Sequence, residues 1–534
     1  MTMRAHDPAQ DAVAVKPGAT PPQWLRSRWL WWVVAVLAAL PLILPPVAPL
    51  TDLGGHLGRY AVQVDHGRSA DLAQWYGFRW NLIPNLGVDI LVEWLAPLLG
   101  LEPALRVIVA TIPVLQVLGI LLLCKAVHGR ITPLALFALP LAYCYPLHFG
   151  FLNFVLGQAL STLALALWIA LGERGRWQRG WLLARWLVFV PIACGLWTCH
   201  LVAWALFCVF AGMCELAPHV QGQKPDWRGL VRVAIAVSCL LTPQVLRMVW
   251  ALPASGHGAT RDFFLPELKL LYPLMPLRDR WLVWDVAAAA VLLALAVWAM
   301  MRRVPDTDER DPRIGLRLGV LALAIVYLAM PGTIFGSSMA DMRLVPFMLM
   351  IALVAARPLY RQHGWLSYHR LAWLGAGFAL ARLLGNVLSL WLTGQAMAAD
   401  LAALDSVPYG ARVASLVVEE CVVSILPWQR ERRTHLGGYA IARRHAFSNE
   451  QWVIPGGQLL QVHAPQAGVF GTDESQLVKP DDCAKPNTIS RRLAQLPRAA
   501  FDYIWIIDTA AVRPVAGAMP VRRTPGSVLY RIVR

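Results

Sequence analysis

The chain is short of charge. Only 15% of its 534 residues are Asp, Glu, Lys or Arg, against 57% hydrophobic residues and a mean hydropathy of +0.51. A soluble protein of this size carries more charge and less apolar surface, so the composition excludes an ordinary cytosolic enzyme and implies a polytopic membrane protein. Motifs for nucleotide chemistry are absent too: there is no phosphate-cradling P-loop, no glycine fingerprint following a strand, and no His-Glu-x-x-His helix. An ATP-driven pump is thereby disfavoured. Acidic residues are scarce relative to basic ones, 32 against 48, which leaves a formal charge of +16. In a membrane chain that excess anchors inner loops against anionic lipid, so nucleic acid is not expected as a partner.

What is present is a series of apolar runs. The first, from about Trp29 to Leu50, follows a polar start at 1–28 that reads as disordered and cytoplasmic. It is long enough to span a bilayer and too long for a signal peptide. Further runs at about 104–124, 131–147, 151–172, 182–198, 199–217, 230–251, 281–301, 315–331, 343–357 and 371–393 bring the expected number of transmembrane helices to about eleven. With the N-terminus inside, inner segments hold 21 Lys and Arg against 8 in outer loops. An odd number of spans then puts the C-terminus outside.

Two regions are not membrane spans. The segment 51–103 reads as an outer loop, polar over 51–85 and ending in an interfacial stretch, Leu86 to Gly100, where Asp89 and Glu93 share one helix face. A solvated polar face is the preferred account of that pair, and the alternative is that they face an active site. From about residue 395 the composition changes. Strand-like stretches at 411–418, 503–508 and, after Pro525-Gly526, 527–533 point to a C-terminal α/β domain over 395–534, outside the spanning domain at 29–394. Its two cysteines, Cys421 and Cys483, are expected to form a disulfide in an oxidising compartment, whereas the other seven lie in apolar spans as inert side chains. No cysteine spacing suggests zinc.

Candidate chemistry collects in the outer loops. In Pro49-Leu50-Thr51-Asp52-Leu53-Gly54-Gly55-His56 an acid stands where the first apolar segment meets water. Asp52 reads either as a helix N-cap or as a base acting on a substrate held by a lipid tail. Asp341 and Arg343 precede the tenth span, and Arg261, Arg278 and Arg280 lie in the loop at about 252–280. In a transferase with a phosphate-linked lipid donor, Asp52 would accept the proton of the attacking hydroxyl, and Arg343, with Arg261, would neutralise the leaving phosphate. For Arg278 and Arg280 a surface position is the preferred account. His56, Asp341, Asp89 and Glu93 complete the candidate substrate-binding set.

This arrangement resembles the GT-C superfamily of integral-membrane glycosyltransferases, including the bacterial relatives of protein mannosyltransferases and aminoarabinose transferases. The likeness rests on the first-helix exit with Asp52 and His56, on Leu95-Ala96-Pro97-Leu98-Leu99-Gly100 followed by Ala104-Leu105-Arg106, on Gly150-Phe151-Leu152-Asn153-Phe154, on Asp341-Met342-Arg343-Leu344-Val345-Pro346, and on an outer C-terminal domain. It implies a juxtamembrane helix after the first span and transfer of a sugar from a polyprenyl-phosphate donor to a lipid, glycan or protein acceptor outside the bacterial inner membrane. Asp52 matches the family's catalytic acid. The chain departs from many members at Trp80-Asn81-Leu82-Ile83-Pro84-Asn85, where an acid or His before a double proline is missing. No cofactor is assigned, and a divalent metal ion stays open. The tail stretch His435-Leu436-Gly437-Gly438-Tyr439-Ala440 carries no biochemistry in this reading. The alternatives are a transporter or flippase of lipid-linked sugars and a non-catalytic envelope-assembly protein.

Overall fold

The structure, a computed structural model, describes residues 22–172, 179–220, 227–250, 258–263, 265–301, 311–356, 367–421, 428, 432–454, 456–509 and 511–534. Most of the expected disordered start, several inner-loop basic residues such as Arg174, Lys224, Arg302 and Arg361, and His257 lie outside these. Trp24 and Leu25 belong to a helical turn, Gln23–Arg26, inside the stretch expected to be disordered.

Among the described residues eight helices are long and apolar enough to cross a membrane: Leu101–His128, Leu152–Gly172, Leu182–Cys199, Leu201–His219, Trp227–Val249, Leu282–Met301, Pro312–Ala329 and Tyr368–Ser406. Three shorter apolar helical segments, Arg28–Ile43, Pro133–Phe149 and Leu344–Ala355, fall on the remaining expected spans. The protein is therefore a polytopic α-helical membrane protein with a C-terminal sheet region. Local chemistry sets the ends. Ser27 and Ser367 accept from backbone N–H groups at the starts of their helices, and Asp311 does the same ahead of Pro312 at the first helical position. Gly129, with φ of 68°, closes the Leu101–His128 helix in the left-handed conformation. The last long helix, Tyr368–Leu401, runs without a break past position 395, where the composition changes.

Charges within this bundle are paired. Arg185 meets Glu215 at 2.9 Å and Arg382 meets Asp285 at 2.8 Å, all four side chains almost wholly buried. A lone charge in that setting would be far costlier than a matched pair.

The segment expected to be a polar loop is ordered and largely buried. Leu53–Asp65 is a helix with ten buried residues, and Gly87–Leu99 is a second. Eight strands are found among the described residues: β1 Tyr76–Phe78, β2 Arg412–Val418, β3 Phe447–Ser448, β4 Leu460–Val462, β5 Leu477–Val478, β6 Tyr503–Ile507, β7 Ala518–Arg523 and β8 Ser527–Ile532. The main sheet runs β3-β2-β6-β8-β7, with β5 also on β2; the β2 pairings are parallel and the β6-β8-β7 pairings antiparallel. The expected strands at 411–418, 503–508 and 527–533 are β2, β6 and β8.

The tail does not stand alone. β1, from the segment 51–103 expected to be an outer loop, pairs antiparallel with β4 of the tail, Gly77 opposite Gln461. One apolar core joins Ala61, Val62, Leu72, Trp75 and Tyr76 of the outer segment to Leu416, Ile441, Phe447, Ile504 and Val528 of the tail. The polar composition of 51–85 concealed this because the partners of these residues lie more than 330 positions away. Cys421 and Cys483 are joined in a disulfide with their Cα atoms 5.6 Å apart.

Candidate functional site

The first apolar helix stops at Ile43, and the prolines at 45, 46 and 49 keep the chain non-helical up to Thr51. This exit is tied to a turn in a neighbouring segment: Thr51 N donates to the His148 carbonyl at 3.2 Å and Asp52 N to the Phe149 carbonyl at 2.8 Å. Gly150 makes the approach feasible. Its φ is +101°, and a Cβ there would stand 2.9 Å from the Asp52 backbone nitrogen, too close for any side chain.

Asp52 then occupies the N-cap position of Leu53–Asp65, but its side chain makes no capping hydrogen bond. Its carboxylate instead lies 3.9 Å from His435 Nε2, and it is 15% exposed. Arg343 exerts a Coulombic pull on the same carboxylate. The capping account expected as an alternative is thus met in position only.

His435 comes from the tail, which sequence reasoning left without chemistry. Its Nδ1 meets Glu450 Oε2 at 3.0 Å, and Glu450 is fully buried. Gln476 Nε2 lies 3.3 Å from the same ring nitrogen, and the Trp452 ring stands edge-on at 4.6 Å. Burial alone would lower the imidazole's pKa, but the Glu450 carboxylate, with Asp52 and Asp473 behind it, raises it above the ordinary value. Burial raises both Glu450 and Asp473, a shift His435 opposes.

Glycines hold the tail this close. The tail helix Gly437–Arg444 crosses Leu53–Asp65, and a Cβ on Gly54 would meet the His435 carbonyl oxygen at 2.1 Å, while one on Gly438 would meet the Gly54 carbonyl oxygen at 2.0 Å. Gly55 leaves room for the Trp452 ring, and Gln451 Nε2 donates to its carbonyl at 2.9 Å. Adjacent glycines beside a histidine occur in both helices, at 54–56 and 435–438, and that echo was the available signal.

One turn along, His56 is half-buried between Tyr60 and Trp452. Burial, then Arg59 and His435, push its pKa well below 6.5, so it is neutral near pH 7. Asp89 and Glu93 depart from the solvated face expected for them. Asp89 is fully buried in an ion pair with Arg59, and Asn153 Nδ2 donates to it at 3.2 Å. Glu93 accepts from Gln63 at 2.9 Å and meets His66 at 2.8 Å. Both carboxylates therefore brace the two outer helices against each other, and Arg59 and Gln63 could not be matched to them from local sequence.

Arg343 is buried, its guanidinium 3.7 Å from the centre of the Phe151 ring, with Nη2 donating to the Ser338 carbonyl at 2.8 Å. Its Nε has no hydrogen-bond partner among the described residues. Burial lowers its pKa to about 10, which keeps it charged at neutral pH. Asp341, two residues earlier, pairs with Lys269 at 2.6 Å, and Lys269 also donates to the Tyr327 and Met330 carbonyls. That carboxylate is committed to holding the turn rather than a substrate. Arg261 is exposed in a bridge to Thr333 and makes no described contact with Asp52. Arg278, expected on the surface, is buried against Tyr145 and Trp428.

Among the described residues no three His, Cys, Asp or Glu side chains form a metal-holding group. The clearest apolar cavity, about 160 Å³ and lined by Trp24, Val34, Leu121, Tyr143 and Leu383, lies between the first and last spans, with no Asp52 contact.

No family model matches the chain, and no curated protein matches it significantly. Among solved structures it is similar to ArnT from Cupriavidus metallidurans bound to undecaprenyl phosphate, at 14% identity, covering 94% of this chain and 97% of that one, with a TM-score of 0.45. For ArnT in the apo state the figures are 16%, 94%, 97% and 0.47. For the Archaeoglobus fulgidus oligosaccharyltransferase in complex with Zn and sulfate they are 13%, 89%, 68% and 0.34. At such identities residue roles follow only from this chain's own geometry.

Proposed function

We propose that the protein is a membrane glycosyltransferase of the GT-C kind, moving a sugar from a polyprenyl-phosphate donor to an acceptor on the periplasmic side of a bacterial inner membrane. The observation that carries this reading is the Asp52 carboxylate, which stands at the exit of an apolar segment, does not cap its own helix, and lies within electrostatic reach of the buried cation Arg343. A donor with a lipid tail reaches such a position from the bilayer. Asp52 accepts the proton of the acceptor hydroxyl as its oxygen bonds to the anomeric carbon. The bond from that carbon to the phosphate oxygen breaks, and Arg343 stabilises the charge left on the polyprenyl phosphate, its Nε available for that contact. The lysine and arginine bias supports an outer position for this face.

The transporter reading draws support from acids deep in the membrane that remain available to a substrate. Here Glu215 and Asp285 are each bound to an arginine, which favours a structural role for both.

The test compares envelope glycans and polyprenyl-linked sugars by mass spectrometry in cells carrying wild type, a deletion, Asp52→Asn or Arg343→Gln at matched expression. A base contributes about 10²–10⁴-fold, so Asp52→Asn should match the deletion: one sugar is lost from the acceptor while its lipid-linked donor accumulates. Arg343→Gln should reduce transfer without removing the protein from the membrane. Wild-type glycans in the Asp52→Asn strain, with an altered envelope in the deletion, would reject Asp52 as the base and favour transport or assembly.

A further inference from the structure

The tail's His435 and Glu450 form a buried pair aimed at Asp52, and nothing in the transfer step above uses them. We infer that His435, held through Nδ1 by Glu450, is the positioning residue of the Asp52 carboxylate, so that the C-terminal domain completes the active site rather than only covering it. This rests on the reading of Asp52 as the base.

The geometry has three parts. The imidazole is bracketed by two carboxylates, Glu450 Oε2 at 3.0 Å from Nδ1 and Asp52 Oδ1 at 3.9 Å from Nε2. A carboxylate at Nδ1 makes that nitrogen the donor, which fixes the ring's orientation and turns Nε2 toward Asp52. The ring is also clamped: Trp452 packs on it at 4.6 Å, and the residue after Leu436 begins a helix whose glycines touch the helix that Asp52 starts. Asp52 makes no capping bond to its own helix, and His435 of the tail approaches its carboxylate.

The groups facing His435 decide its protonation. Asp52 and His56 approach from the first outer helix, Glu450 from the turn after β3, and Asp473 and Gln476 from the 3-10 turn Asp473–Gln476. Three carboxylates against one neutral imidazole favour the imidazolium. In that state Nε2–H faces the Asp52 anion and holds it ionised for the acceptor hydroxyl. Once His435 loses its proton, the Nε2 lone pair faces the carboxylate instead, and Asp52 is released from that orientation. The base therefore loses this orientation as pH rises through the titration of His435.

The test uses the full-length chain in native envelopes holding the endogenous donor and acceptor, with transfer followed by mass spectrometry from about pH 5 to about pH 9. His435→Gln should lower the rate about ten- to a hundredfold and remove the alkaline limb, at an unchanged apparent KM for the donor. Glu450→Gln, which preserves shape, should move that limb to lower pH, because the neutral amide no longer favours the imidazolium. A second measurement needs no substrate: the histidine-selective NMR titration of the purified full-length protein in micelles. There Asp52→Asn and Glu450→Gln should each lower the proton affinity of His435 at least threefold. Wild-type rates and pH profiles in both His435→Gln and Glu450→Gln, with Asp52→Asn inactive, would overturn the inference and leave the base intact. Full activity in Asp52→Asn would instead reject the base, and an NMR midpoint of His435 indifferent to Asp52→Asn would overturn the coupling itself.

Discussion

The contact between Gly54 and Gly438 has a sign that chemistry at a distance cannot imitate. Both glycines lie in helices, where Gly→Ala ordinarily stabilises by about 1 kcal/mol. At Gly438 the added Cβ would sit 2.0 Å from the Gly54 carbonyl oxygen, and both atoms belong to backbone that cannot swing away. Restoring an ordinary contact near 3.4 Å requires the helices to part by about 1.4 Å, and overpacking of this kind costs about 1–3 kcal/mol. The propensity gain is offset or exceeded, so Gly438→Ala should destabilise by up to about 2 kcal/mol. The same movement would take His435 from 3.9 Å to about 5 Å from Asp52, weakening their attraction by roughly 1 kcal/mol at an effective dielectric near 20. A misplacement of about 1 Å can cost about 10²-fold in rate. Gly377 supplies the control, being exposed on the Tyr368–Leu401 helix with nothing within 4 Å of its would-be Cβ. Thermal unfolding in micelles and envelope glycan analysis should show Gly438→Ala losing both stability and transfer while Gly377→Ala loses neither. A Gly438→Ala protein as stable and active as wild type would refute the close packing of tail and outer helix.

The Cys421–Cys483 bridge closes a loop of 62 residues, which the chain-entropy account equates with about 4 kcal/mol; a maleimide reagent should label neither sulfur in the native unreduced protein, and reduction should lower the tail's unfolding temperature. Arg412 grips Asp502 through Nε at 3.0 Å and Nη2 at 2.7 Å between β2 and the start of β6. Burial would raise the Asp502 pKa, but these bonds hold it below the usual carboxylate value. A depressed folded-state pKa contributes stability that is present above the unfolded value, about 3.9 for Asp, and lost as pH falls through the folded one. Acid unfolding followed by tryptophan fluorescence should therefore show Asp502→Asn with a shallower loss of stability below about pH 4 than wild type.

Much of the outer architecture escaped reading because its partners are remote. The run at 51–85 is polar overall, yet Leu57, Tyr60, Ala61 and Val62 are buried against residues of the tail. Asp89 and Glu93 do share a helix face, as their spacing requires, but whether that face meets water or Arg59 depends on a crossing that no local window contains. Asp341 reads from sequence as a substrate-binding candidate beside a span, and only the position of Lys269, 72 residues earlier, shows that it is engaged. The glycine pairs were in plain view; their meaning came from facing each other.

What the amino-acid order determined by itself is everything that depends on the bilayer as solvent. The apolar runs, their lengths and the basic bias between them follow from residue-by-residue transfer cost, which needs no knowledge of neighbours. The strands of the tail were legible for a similar reason, each being a short run of apolar, strand-forming residues. Tertiary structure alone decided the surroundings of Asp52. The distance from a carboxylate to an imidazole 383 positions away, and the burial that keeps Glu450 beside it, are set by two helices meeting through bare glycines, a contact that exists only once the chain has closed on itself.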